Sequence, residues 1–82
     1  MIYNRAHIRL NTTREANDFV KAINSDGTVN RYTIEDFDCV QRVNARSLLG
    51  VIYALTEFND DMYFVNETDN GAIPSCIDIY RV

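Results

Sequence analysis

The side chains able to do chemistry are few in this chain, and they are scattered. One histidine, His7, offers the only imidazole for acid–base work or for carrying a group. It falls in the middle of an alternating segment. Two cysteines, Cys39 and Cys76, stand far apart, with no CxxC pair and no Cys/His cluster around them. A disulfide framework needs more cysteines, so both are expected to be reduced thiols acting as small buried hydrophobes in a cytoplasmic protein. Carboxylates gather at Glu35, Asp36 and Asp38, at Asp60 and Asp61, and at Glu67 and Asp69. None follows an EF-hand spacing or sets two histidines beside a carboxylate, so a solvated acidic surface is expected and no metal site. No phosphate-cradling glycine loop, nucleophile elbow or catalytic constellation appears. The expectation is a protein without enzyme activity and without a cofactor.

Composition narrows the partners. The chain has 82 residues, 46% of them hydrophobic, 24% charged and nine aromatic, which describes one folded domain rather than a disordered segment. A net charge of -4 and a pI near 4.7 argue against nucleic acid, which rewards clustered Lys and Arg. No apolar run approaches the roughly 20 residues that cross a bilayer, so no membrane partner is expected. The start, Met1 to Arg5, reads as neither a signal peptide nor a myristoylation site.

Three changes of period give the elements that must position these groups. Residues 2–10 alternate, with Ile2, Ala6, Ile8 and Leu10 on one face and Tyr3, Arg5, His7 and Arg9 on the other, which predicts a strand with one wet face. Ala16, Phe19, Val20 and Ile23 then recur at helical spacing, predicting a helix over 13–24. Thr12 and Glu15 fit a capping box at its start, and Asn24 to Gly27 are turn residues at its end. Val29 to Glu35 and Cys39 to Ala45 read as an antiparallel hairpin turning at Asp36-Phe37-Asp38. Ser47 caps a second helix over 47–55, and Met62 to Val65 is a fourth strand. After Asn70-Gly71 the residues allow two readings: a short helix opened by Pro74, with Ile73, Ile77 and Tyr80 on one face, or a strand at 77–80. The helix is preferred. The expected class is α+β, with helices on one face of a four-stranded antiparallel sheet.

The segment Val43-Asn44-Ala45-Arg46-Ser47-Leu48-Leu49-Gly50-Val51 resembles the Asn-Ala-Lys-Ser-Leu-Leu-Gly-Val segment of HPr, the phosphocarrier of the bacterial sugar phosphotransferase system. Length and element order are similar too. The likeness runs over residues 2–66, is specific at 43–51, and is weak after Gly71. It implies a single domain over 1–82 with the HPr-like open-faced β-sandwich, βαββαβ(α). It also implies a role for Ser47, because the matching serine in HPr-like proteins is the target of an ATP-dependent regulatory kinase. A helix N-terminus, with unpaired N–H groups and partial positive charge, suits a phosphate.

The resemblance fails at the family's carrier site. HPr proteins carry Gly-(Ile/Leu)-His-Ala-Arg-Pro-Ala at the start of the first helix. Aligning on Ala16 and Val20 puts Leu10 at the glycine, Thr12 at the phosphohistidine and Glu15 at the proline, with only Arg14 and Ala16 kept. A threonine hydroxyl cannot form the labile phosphoramidate of relay chemistry, and Glu15 adds negative charge where a phosphoryl group would arrive. His7, five residues ahead of the helix, lacks the dipole and an arginine fork.

Between Ser47 and Leu55 seven of nine residues are apolar, more than a helix lying on a sheet needs. In HPr the matching helix docks Enzyme I, EIIA domains and the regulatory kinase, which implies partner docking through Leu48, Leu49 and Ile52. Periodicity instead sends Leu48, Val51, Ile52 and Leu55 inward and leaves Leu49 as the cleaner exposed residue. Alternatively, the C-terminal segment covers this helix. The expected function is therefore a regulatory or adaptor protein that binds a protein partner (kinase, phosphotransferase-system protein or transcription regulator) through the second helix, with Ser47 as a phosphorylation switch. The alternatives are a working phosphocarrier, with phosphate on Thr12, Thr13 or His7, and a structural homodimer through the apolar helix.

Overall fold

The computed structural model describes residues 4–25, 27, 30–68 and 72–82. The elements run β1 (Asn4–Ile8), α1 (Thr13–Asn24), β2 (Tyr32–Glu35), β3 (Arg42–Asn44), α2 (Leu48–Glu57), β4 (Met62–Asn66) and a 3₁₀ helix (Ser75–Tyr80). The four strands form one antiparallel sheet in the order β1-β4-β2-β3. The α+β class and the one-sided placement of the helices follow the sequence reading.

Register decides which side chains share a face. Ala6, Phe64, Ile34 and Val43 lie in one row across the sheet, turned toward the helices. Ile8, Met62 and Tyr32 join them, and Ala16, Phe19, Ile23, Val51 and Ala54 close the core from above. Phe19 meets Phe64 edge-on at 6.0 Å, tying α1 to the middle of the sheet. Two further rows face away from the helices: Arg5, Val65, Thr33 and Asn44, and beside it His7, Tyr63, Glu35 and Arg42.

Both helices begin where their caps place them. The Thr12 hydroxyl accepts from the Glu15 N–H at 3.1 Å, and the Glu15 carboxylate returns to the Asn11 N–H at 2.9 Å, one residue earlier than a standard capping box. Ser47 accepts from the Gly50 N–H at 3.3 Å. Gly50 is required by proximity, because a Cβ there would come 2.9 Å from the Asn44 carbonyl oxygen.

Several expectations need correction. Among the described residues the first strand covers only Asn4–Ile8, although Leu10 is buried as expected; Ile2 lies outside them. β2 starts at Tyr32, opposite Asn66 where β4 ends; beyond it the Glu67 N–H still donates to the Arg31 carbonyl at 2.9 Å, but the Arg31 N–H turns to the Thr68 hydroxyl instead of continuing the ladder; Val29 lies outside the described residues. Cys39 is neither in a strand nor buried. The Asp36 carboxylate gathers the Val40 and Gln41 N–H groups, closing a turn over 36–41 that holds Cys39 exposed at φ 60°. Cys76 is half-buried against the core.

The C-terminal segment is helical, as preferred, but 3₁₀ in form, with Ile77 fully buried. It does not cover α2. Tyr80 packs edge-on against Phe19 of α1 at 5.5 Å. The chain then runs along the outer edge of β1, where Arg9 N–H donates to the Tyr80 carbonyl at 2.9 Å and Val82 N–H to the His7 carbonyl at 3.0 Å. An exposed strand edge invites pairing, and this segment satisfies it.

Candidate functional site

The two positions singled out by sequence lie at opposite ends of the sheet. Thr12 follows β1 at the end marked by Ile8 and Met62, whereas Ser47 follows β3 at the end marked by Asn44 and Tyr32. Thr12, Arg14 and Ser47 therefore cannot act on one bound group.

The start of α1 is already closed. Thr12 and Arg14 are exposed, but the Glu15 and Asn11 N–H groups are taken by the Thr12 hydroxyl and the Glu15 carboxylate. A second anion would meet the Glu15 charge at that terminus. The start of α2 is different. Ser47 is half-buried, its own N–H donates to the Asn44 carbonyl at 3.1 Å, and no acidic residue lies in the first turn. The preceding Arg46 is not poised over Ser47. Its guanidinium donates to the Ile23 carbonyl at 3.1 Å and the Asn30 carbonyl at 3.0 Å, and lies 4.6 Å above the Tyr32 ring. Arg46 thus closes the C-terminal end of α1 and holds it beside the start of α2.

From Ser47 an apolar strip runs along α2. Leu49 is 81% exposed and Leu48 37% exposed. Tyr53, one turn past Leu49, is exposed along its ring while its hydroxyl donates to Gln41 at 2.8 Å. That bond ties the turn over 36–41, which carries the exposed Val40, to α2. Ile52 departs from the expected set: it is half-buried and packs on the core, leaving Leu48, Leu49 and Tyr53 as the outward residues. The contested Leu48 points outward because Val51 and Ala54 supply the buried contact.

The open face of the sheet carries a second group that sequence reasoning missed. Glu35 was expected on a solvated acidic surface, yet it is fully buried. Arg5 Nε lies 3.1 Å from one carboxylate oxygen and Arg42 3.4 Å from the other, while Arg42 also pairs with Glu67. Arg5 lies 3.9 Å over the Tyr63 ring, which stacks with His7 at 4.6 Å. His7, expected to face solvent, is half-buried and donates from Nε2 to the Asp60 carbonyl. Nothing local announces this cluster; its members meet only through the register of four strands.

Among the described residues no set of three His, Cys, Asp or Glu side chains could hold a metal ion, and no helix is long and apolar enough to cross a membrane. Comparison of the chain with family models, curated proteins and solved structures returned no match.

Proposed function

We propose that this protein is an HPr-like regulatory or adaptor protein, not a catalyst, which binds a protein partner through α2 and is switched by phosphorylation of Ser47. The observation that carries the reading is the exposed apolar strip of Leu48, Leu49 and Tyr53 beginning one residue past an N-cap serine. The element order, βαββαβ followed by a short helix, supports the HPr likeness, as does the segment 43–51. A phosphate on Ser47 adds a charge of about -2 beside Leu48 and Leu49 and meets the free end of the α2 dipole. It would weaken an apolar contact or create a charged epitope. The closed start of α1 and the missing histidine count against a phosphocarrier.

Two parallel reactions test this: the protein with ATP and an HPr kinase, and the protein with phosphoenolpyruvate and Enzyme I, each followed by phosphosite mapping. Acid-stable phosphate on Ser47 in the first reaction alone is expected. Acid-labile phosphate on His7 in the second would restore the carrier reading, and a bare Ser47 in the first would remove the switch. Leu49→Asp is expected to leave stability within about 0.5 kcal/mol, since the side chain is largely exposed, while abolishing phosphorylation through lost docking. Unchanged phosphorylation of that variant would remove α2 as the docking face.

A further inference from the structure

The exposed strip on α2 is flanked by charge of one sign. No lysine or arginine occurs between Arg46 and Arg81, so neither α2 nor the turn after it carries a cation. Carboxylates stand there instead. Glu57 ends α2, one turn past Tyr53 and two past Leu49, and Asp60 and Asp61 follow it. Asp38 lies in the turn that the Tyr53–Gln41 bond ties to α2. The side chains of Asp38, Glu57 and Asp61 are exposed and make no ion pair or hydrogen bond among the described residues. The Asp60 carboxylate meets only Arg9 there, at 3.7 Å.

The fold itself gains nothing from this arrangement. A carboxylate at a helix C-terminus adds to the negative end of the dipole, and α2 has no basic residue in its last turn to offset it. The arginines nearest in sequence are committed elsewhere. Arg42 is held by Glu35 and Glu67, and Arg46 by the Ile23 and Asn30 carbonyls and the Tyr32 ring. An apolar strip flanked by unpaired carboxylates is complementary to an apolar surface flanked by cations. Leu49 and Tyr53, four residues apart, form a ridge of the kind that packs into the grooves of another helix. A second copy suits the place poorly, because α2 against α2 brings like carboxylates together with no free cation on either side.

We infer that the partner of α2 is an amphipathic helix whose apolar stripe is flanked by lysine or arginine, seated on Leu48, Leu49 and Tyr53 with its cations toward Glu57, Asp61 and Asp38. This rests on the reading of α2 as a docking face and specifies what docks there.

Two synthetic peptides test it by amide NMR titration of the whole chain. One is an amphipathic helix with leucine at helical spacing and lysine on its flanks; the other carries glutamate in place of lysine. Saturable shifts at Leu48, Leu49, Tyr53 and Glu57 are expected with the lysine peptide, and binding at least about tenfold weaker with the glutamate peptide. Glu57→Gln should weaken the lysine peptide about twofold to fivefold, the size of one exposed ion pair, without lowering the melting temperature. Asp18→Asn, which removes the same charge from α1, should bind as the parent does. Leu49→Ser should lose binding of the lysine peptide. The inference is overturned by equal affinity for the two peptides, by equal loss in Asp18→Asn and Glu57→Gln, by shifts that lie away from α2, or by α2 shifts that change on dilution of the protein alone, which would seat a second copy there. Equal affinity for the two peptides, lost in Leu49→Ser, would leave α2 as a docking face and refute only the charge of its partner. Binding away from α2, with unchanged phosphorylation of Leu49→Asp, would remove the docking face itself.

Discussion

Substituting Gly50 by alanine sets two effects of opposite sign against each other. Inside a helix, alanine is favoured over glycine by about 1 kcal/mol, so an isolated helix would gain from the change. Here the new Cβ would lie 2.9 Å from the Asn44 carbonyl oxygen and 3.5 Å from both the Asn44 nitrogen and Val43 Cβ. The closest atom belongs to the backbone, and it is pinned because it accepts the Ser47 N–H at 3.1 Å. Relief therefore requires the first turn of α2 to lift off β3, and overpacking of this kind costs about 1–3 kcal/mol. With the propensity gain subtracted, Gly50→Ala should destabilise the protein by about 1 kcal/mol, lowering its melting temperature by about 4–8 °C. Urea titration gives the free energy, and amide shifts at Asn44 and Ser47 show where the displacement falls. A variant more stable than the parent by about 1 kcal/mol would show that α2 does not press on β3, and would refute the packing described for this helix.

Arg46→Lys should cost about 1–2 kcal/mol and speed amide exchange in the last turn of α1. An ammonium cannot reach the Ile23 and Asn30 carbonyls together while stacking on Tyr32. Arg5→Leu should cost about 2–4 kcal/mol by urea titration, because it takes the nearer of two arginines from the buried Glu35 carboxylate; Glu35→Gln should cost less, since both arginines still reach solvent. The reverse order would mean that the carboxylate, not its cover, organises the face. Tyr80 is pushed above the ordinary phenol value by burial first and then by Asp18, Glu15 and Cys76. The fold thus favours its protonated form, so this contribution is whole below about pH 10 and is lost as the pH climbs through the raised value. Tyr80→Phe should flatten the alkaline limb of the stability curve without changing which side of neutrality is favoured.

Much of the helical layer was legible because its signals are local. The Thr12/Glu15 pair and the Ala16, Phe19, Val20, Ile23 stripe fix α1 to the residue, and both rest on neighbours within a turn or two. Strand limits were less legible, since a strand ends where its partner ends: β2 begins opposite Asn66, which no feature of residues 29–35 reveals. Glu35 shows the same limit more sharply. In sequence it is one carboxylate in an acidic run, and only register sets it between Arg5 and Arg42. The exposure of α2 was undecided because a helix apolar around most of its circumference carries no directional signal. The answer came from the C-terminal segment, which satisfies the edge of β1 and packs on α1.

One residue, Asn44, joins the edge of the sheet to the start of α2. The Asn44 carbonyl receives the Ser47 N–H and limits how closely Gly50 can approach, so its backbone sets the start of α2. Its side chain holds the Arg46 N–H, and register sets it opposite Thr33 in the row that faces away from the helices. Asparagine suits this place because its oxygen closes a two-residue turn while its nitrogen remains a donor. Asn44→Ala removes both roles at once, whereas Asn44→Asp removes only the donor. The alanine variant should therefore lose about 1 kcal/mol and shift the amides of Arg46 and Ser47, while the aspartate variant should leave those two amides nearly in place. Equal displacement by both substitutions would mean that the side-chain oxygen does not hold the turn. The start of α2 would then rest on Gly50 packing and the Ser47 cap alone.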